Sequence, residues 1–188
     1  MSERDPPGPA ERIRHGDKAA FEALFRAHYE ALCRFATRYV DSVEAAEDLV
    51  QEVFFDLWKR RHAWRPEAGP RAFLYGAVRN QGLKHQRWLR VREGVQGHDA
   101  LADVAGPQDP ARTLQDRESL RTARQLIREL PPRRRSVFLL SRRHGLTYDE
   151  IATALDISVK TVETHMGRAL KTLREHFSAK QQPLLSSH

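Results

Sequence analysis

Apolar positions recur along this chain with helical spacing, and no stretch alternates apolar and polar residues for long enough to predict a strand. Phe21, Leu24, Phe25, His28, Leu32, Phe35 and Ala36 predict a helix over 17–40, with Asp17 as its N-cap. A second helix is predicted near 43–62. The run HAWRPEAGPRAF, with two prolines and a glycine, breaks it. A third is predicted from about Arg71 to Arg92, burying Phe73, Leu74, Ala77, Val78 and Trp88. Residues 93–110 are rich in Gly, Asp and Pro and weakly apolar, as a flexible linker is. Helical spacing resumes near Thr113. Pro132 suits the first turn of a helix, and Gly145 suits its end. The expected fold class is all-α, with two small helical domains joined by a flexible linker. The expected bounds are a disordered arm over 1–16, a first domain over 17–92, a linker over 93–112, a second domain over 113–178 and a tail over 179–188.

The stretch DLVQEVFFDLW poses a question of phase. At about 100° per residue, Leu49, Val50, Val53, Phe54, Leu57 and Trp58 share one broad arc. Asp48, Glu52 and Asp56 fall opposite, and Phe55 lies out there with them beside Gln51. A row of acids alone is a solvated face. An outward aromatic rimmed by polar groups marks a protein interface, so the pattern suggests a partner with a basic, partly apolar surface.

Charge changes the picture next. The chain of 188 residues carries a net +7, which points toward polyanions. Residues 41–56 hold six acids and no Lys or Arg, whereas residues 57–92 hold ten bases and one acid. One stretch repels nucleic acid and the next attracts it. On the third helix Arg79, Arg87 and Arg90 gather with Asn80 as a basic row holding a polar reader. Trp64 sits in a basic loop before it, near Arg71. Basic charge with aromatics and a loop suits single-stranded DNA and an extruded base. Trp64 has two readings, a packing residue or a base platform. Residues 93–110 carry −4 and the block 111–188 carries +7.

The most specific local signal is LTYDEIATALDISVKTVETHMGRAL. Thr147 and Glu150 form a capping box that starts a helix at Tyr148, and Ser158 is placed to cap the next one. Val162, Met166, Ala169, Leu170 and Leu173 share a face of that second helix, opposite Lys160, Thr164, Arg168 and Lys171. Two short helices joined by a tight turn, with a basic and hydroxyl-bearing outer face, predict a helix-turn-helix. Lys160, Thr161, Glu163 and Thr164 would reach base edges, and Arg168 and Lys171 would hold phosphates. Arg133, Arg134 and Arg135 are either further phosphate contacts or a solubilising helix start.

Several functions are expected to be absent. No phosphate-cradling glycine loop, nucleophile motif or histidine pair with a third metal ligand occurs, so the chain is expected to be no enzyme and to hold no metal or cofactor. No apolar run is long enough to predict membrane insertion, and no secretory signal is read at the N-terminus. Cys33 is the single cysteine and is expected to pack as a small apolar residue. A cytoplasmic location is expected.

DLVQEVFFDLW resembles the polymerase-binding helix of bacterial RNA polymerase sigma factors. RAFLYGAVRN resembles the helix that melts and reads the promoter −10 element. The segment from LPPRRRSVFLL through the capping box to THMGRAL resembles their −35-reading domain. The ordered set covers roughly residues 15–175, in the layout of the extracytoplasmic-function (ECF) group. The resemblance implies that Asp48, Gln51 and Glu52, with Phe55 and Asp56 beside them, bind the β′ clamp helices of core RNA polymerase. It implies that Asn80 and the loop 62–71 capture flipped bases of the −10 element, with Trp64, Arg71, Arg79 and Arg87 as further contacts. It places Lys160, Thr161, Thr164 and Arg168 on the −35 recognition helix, with Thr147, Tyr148, Ser158, Glu163 and Lys171 around them. Promoter DNA, core polymerase with its β flap, and an anti-sigma factor are the implied partners. The linker is implied to thread toward the RNA exit channel. Phe73 stands where the family often has Trp, Lys84 where it often has Asp, and Glu163 where it often has Lys. The alternative class is a stand-alone helix-turn-helix regulator that binds duplex DNA as a dimer.

Overall fold

A computed structural model describes residues 7–93 and 114–181. Every regular element among them is helical. The chain divides into two compact units, residues 1–104 with 153–156 and residues 105–152 with 157–188. The linker reading over 93–112 therefore lies, beyond Glu93, outside the described residues, as does the tail beyond Gln181.

The first unit begins with α1, Pro9–Arg14. This corrects, from Pro9 onward, the disordered arm expected over 1–16, whose first six residues lie outside the described ones. Pro9 sits in the first turn, where a missing N–H costs nothing, and Ile13 is fully buried. Arg12 then ties the helix to Asp17 at 2.8 Å. Asp17 caps α2, Lys18–Ala36, by accepting from the Ala20 N–H at 3.0 Å. That bond and Arg12 hold the Asp17 carboxyl below its usual range. The chain leaves the α-helix at Ala36 rather than continuing to residue 40, but Tyr39 and Val40 stay buried in the turn that follows.

Ser42 caps α3, Val43–Lys59, and a short 3-10 turn, Arg61–Ala63, follows. α4 spans Gly69–Glu93. α2, α3 and α4 pack pairwise as a three-helix bundle, and α1 packs on α2 and the 3-10 turn. Leu32, Phe35, Val50, Leu74, Tyr75 and Val78 are its sealed centre. Phe54 meets the rings of Phe25 and Phe21 at 4.8 and 6.0 Å, and Phe35 meets Tyr75 at 5.1 Å.

The phase expected for α4 needs correction. Leu74 and Val78 are buried as predicted, but Ala72, Tyr75 and Gly82 complete the inner face. Trp88 is 53% exposed, with the Arg92 guanidinium over its ring at 5.0 Å, and Phe73 is 37% exposed. Gly82 is where α4 comes closest to the chain behind it. A Cβ there would lie 2.5 Å from both Cβ and Cγ of Tyr39, atoms next to backbone that cannot swing away. Gly82→Ala gains up to about 1 kcal/mol of helix propensity but forces an overpacking cost of about 1–3 kcal/mol. The expected result is a net loss of stability and a lower thermal midpoint for the first unit; a midpoint above that of wild type would contradict this close approach.

The second unit comprises α5, Leu114–Glu129, α6, Pro132–Arg142, α7, Tyr148–Leu155, and α8, Val159–Gln181. Pro132 opens α6 as its sequence position predicts. Gly145 has φ +65°, and its N–H donates to the Ser141 carbonyl at 3.1 Å just past the end of α6. α6 and α5 pack on α8. Val137, Leu140, Ile151, Val162 and Met166 are buried.

The capping box before α7 forms in both directions. The Thr147 N–H donates to the Glu150 carboxylate at 2.8 Å, and the Glu150 N–H donates to Thr147 Oγ1 at 3.2 Å. Asp156 makes the turn at φ +54°, a left-handed value that Asp tolerates better than most residues. Ser158 then caps α8 by accepting from the Thr161 N–H at 3.1 Å. α7, turn and α8 are the predicted helix-turn-helix.

Candidate functional site

Three surfaces carry the sequence-predicted residues. The first is the outer side of α3. Its inner face is committed to the bundle through Leu49, Val50, Val53, Phe54 and Leu57. Asp48, Gln51, Glu52 and Asp56 are exposed, and Phe55 is 65% exposed. Gln81 on α4 donates to Glu52 Oε2 at 2.6 Å, so that carboxylate has a fixed orientation, and Gln51 Nε2 lies 3.4 Å from the Tyr29 hydroxyl. The acids and the aromatic ring are thus displayed on a rigid helix.

The second surface is an open cavity of about 610 Å³ between α3, the loop after it and α4. Val53, Leu57, Trp64, Phe73 and Ala77 supply apolar walls; Asp56, Arg60, Arg65, Asn80, Gln81 and Lys84 supply a polar rim. Trp64 is 5% exposed and meets Phe73 at 5.7 Å. Of its two readings, packing is the one its burial supports, which corrects the base platform: the indole is a wall of the cavity. Its Nε1 is buried without a protein hydrogen-bond partner. Asn80 accepts from Arg79 at 3.3 Å through Oδ1, which leaves its amide donors available to a guest.

Asp56 lines the cavity beside Asn80, so the structure brings it to the candidate nucleic-acid site as well as to the acidic row. Arg65 falls in the loop 62–71 that the resemblance assigned to base capture, whereas sequence reasoning missed Arg60, Gln81 and Lys84 as lining residues. Lys84 was within reach of it, one helical turn after Asn80. Arg60 depends on how the chain after α3 folds back. Arg71 and Arg87 are not among the cavity's lining residues. Arg61, in the same basic run, is committed locally: it donates to the Trp58 carbonyl at 2.8 Å and covers the Trp58 ring at 4.5 Å.

The third surface is the start of α8. Lys160, Glu163, Thr164, Arg168 and Lys171 are exposed. Lys160 pairs with Glu163 at 3.3 Å, and Thr164 donates back to the Lys160 carbonyl at 2.9 Å. Thr161 and Ser158 share a hydroxyl contact of 2.8 Å, so both serve the cap, as does Thr147 in its capping box. Tyr148 is half-buried. Among the described residues no cluster of His, Cys, Asp and Glu is arranged to hold a metal ion, and no helix is long and apolar enough to cross a membrane. Cys33 is half-buried, and burial raises its thiol pKa.

The fold thus defines a two-unit helical protein with a helix-turn-helix in its second unit. Residues 24–90 match the family model for sigma-70 region 2, and residues 120–173 match that for sigma-70 region 4. The chain is 29% identical to RNA polymerase sigma-H factor of Pseudomonas aeruginosa, with 93% of each chain covered. It is 26% identical to the ECF RNA polymerase sigma-E factor of Escherichia coli, again with 93% of each covered. In fold it is similar to CnrH, solved with the cytosolic domain of CnrY, at a TM-score of 0.61, 24% identity and coverage of 91% and 96%. RpoE of Bartonella quintana, solved with the anti-sigma factor NepR, gives 0.60 at 22% identity, covering 84% and 96%. This chain belongs to the ECF group of RNA polymerase sigma factors, and membership makes it a non-enzyme. The unqualified cytoplasmic location expected from the sequence is corrected by CnrH: its partner there is specified as one domain, the cytosolic one, of another protein.

Proposed function

We propose that the chain binds core RNA polymerase through the outer face of α3 and directs initiation at promoters whose −35 duplex it reads with α8 and whose −10 element it melts over α4. The supporting observation is the division of labour in the first unit. α3 displays exposed acids around Phe55, a surface that repels DNA and attracts a basic protein such as the β′ clamp helices. On the neighbouring side Arg60, Arg65, Asn80 and Lys84 rim an open cavity of about 610 Å³ with apolar walls, with room for an unpaired base. An unpaired base entering it would exchange stacking in DNA for contact with the apolar walls, and would meet the Asn80 amide and the Asp56 carboxylate as polar partners. A stand-alone regulator gives no use to either surface.

The second unit, seated near the β flap, would present α8 to the major groove. Lys160, Glu163 and Thr164 are exposed on its first turns and would reach base edges, and the exposed Arg168 and Lys171 would hold phosphates. An anti-sigma factor is proposed as the opposing partner, by likeness to the CnrH and RpoE complexes. Runoff transcription with purified core polymerase on genomic fragments tests the whole reading. Specific transcripts that need this protein are expected; tight sequence-specific duplex binding without core, and no stimulated transcript, would overturn it.

Arg168→Ala is expected to weaken holoenzyme binding to promoter DNA and to lower the slope of log affinity against log salt by about 1, the share of one phosphate contact. A slope equal to that of wild type would remove Arg168 from the phosphate contacts.

A further inference from the structure

One ionisable group in the second unit is used by none of the roles above. His165 lies on α8, where the recognition helix packs against α6. Its ring is half-buried, and Nδ1 is sealed from solvent with no protein hydrogen-bond partner. The charges acting on it are all positive: Arg134 and Arg133 from the first turn of α6, and Arg168 from one turn along α8. No carboxylate among the described residues is among them. Nε of Arg134 and Nε of Arg135 are likewise buried without partners. α6 itself starts without a side-chain cap and with three arginines in its first turn, the wrong charge for the positive end of a helix dipole. Such a cluster is unfavourable alone and becomes favourable around an anion.

We propose that His165, Arg133, Arg134 and Arg168 form a seat for a backbone phosphate of duplex DNA, and that the imidazole takes up a proton as the phosphate arrives. This rests on the assignment of α8 as a duplex reader. In the unbound protein, burial first and then the charges of Arg134, Arg168 and Arg133 lower the His165 pKa below its ordinary value, so the ring is neutral near pH 7. A phosphodiester at the same place offsets the arginine charges and favours the imidazolium. The bound pKa therefore lies above the free one. Affinity gains its full increment below the free pKa and loses it as pH rises through the bound pKa, by up to about tenfold per pH unit for one coupled proton.

The test uses the full-length chain and a short mixed-sequence DNA duplex at low, constant ionic strength. Binding is followed by fluorescence anisotropy from mildly acidic to mildly alkaline pH, for wild type, His165→Gln and His165→Arg. Wild-type affinity is expected to fall as pH rises, and both variants are expected to be flatter, with the arginine form tighter than the glutamine form at high pH. In parallel, the His165 imidazole is titrated by NMR in wild type with and without duplex, which needs no variant to fold; its pKa is expected to rise on binding. Equal pH slopes in wild type and His165→Gln, or a His165 titration unmoved by duplex, would overturn the phosphate seat alone. Failure of the wild type to bind duplex at any pH would overturn the seat and the duplex-reading role together.

Discussion

Reversing both acids on the outer face of α3, Asp48→Arg with Glu52→Lys, is expected to weaken binding to core RNA polymerase by tenfold or more, while the fold of the first unit persists. Both side chains are exposed, and neither contributes to the bundle core. Within the protein the change breaks the exposed Gln81–Glu52 hydrogen bond, and a single such bond nets about 0.5–1.5 kcal/mol. Against a basic partner, each attraction becomes a repulsion. A total change of only about 1.4 kcal/mol is already tenfold in affinity, and like charges brought together at an interface cost several times that. Titration of labelled protein with core polymerase at two salt concentrations checks this. The deficit is expected to shrink at higher salt, because it is electrostatic. Unchanged core affinity in the double variant would remove the acidic face from the interface. Phe55→Ala should also weaken core binding, but with little salt dependence, since it removes apolar surface rather than charge.

The largest expected effect on stability comes from the other side of the same helix. Phe54 is 2% exposed and is held between the rings of Phe25 and Phe21. Phe54→Ala is expected to cost about 3–5 kcal/mol, through reduced burial and the cavity left between α2 and α3. Natural domains are stable by only about 5–15 kcal/mol, so the first unit would stand near its unfolding threshold. Urea unfolding followed by tryptophan fluorescence measures the loss; a value below about 1 kcal/mol would mean that the neighbouring rings close the gap. Phe55, one residue later and 65% exposed, should change stability by less than about 0.5 kcal/mol when truncated. Adjacent phenylalanines are thus expected to separate folding from partner binding.

α3 was legible in the sequence because large apolar residues mark its buried face and acids mark the other. The caps were legible too, since Asp17, Thr147 with Glu150, and Ser158 act on backbone within three residues of themselves. α4 was harder to phase. Part of its buried face is Ala72 and Gly82, residues that carry little hydrophobic signal, and their burial is decided by how closely α2 and Tyr39 approach. Trp88 carries a strong signal yet lies outward, covered in part by Arg92. α1 is short, polar and rich in proline around its start, which reads as unstructured chain, although proline is at home in a first turn. The cavity could be only half foreseen: Asn80 and Lys84 share a helix face, but the loop brings Trp64 and Arg65 to it across the gap between α3 and α4.

Gly82 stands two residues after Asn80 on α4 and presses its bare backbone against Tyr39. The pair works as a gauge block. It sets how far α4 stands from the chain behind it, and so helps to set how wide the cavity opens in front. A methyl group at position 82 would act as a shim, pushing Asn80, Gln81 and Lys84 toward α3 without altering any residue that lines the opening. On the proposed function, base capture at this cavity is expected to be detuned from behind α4, without a change to any residue that lines it.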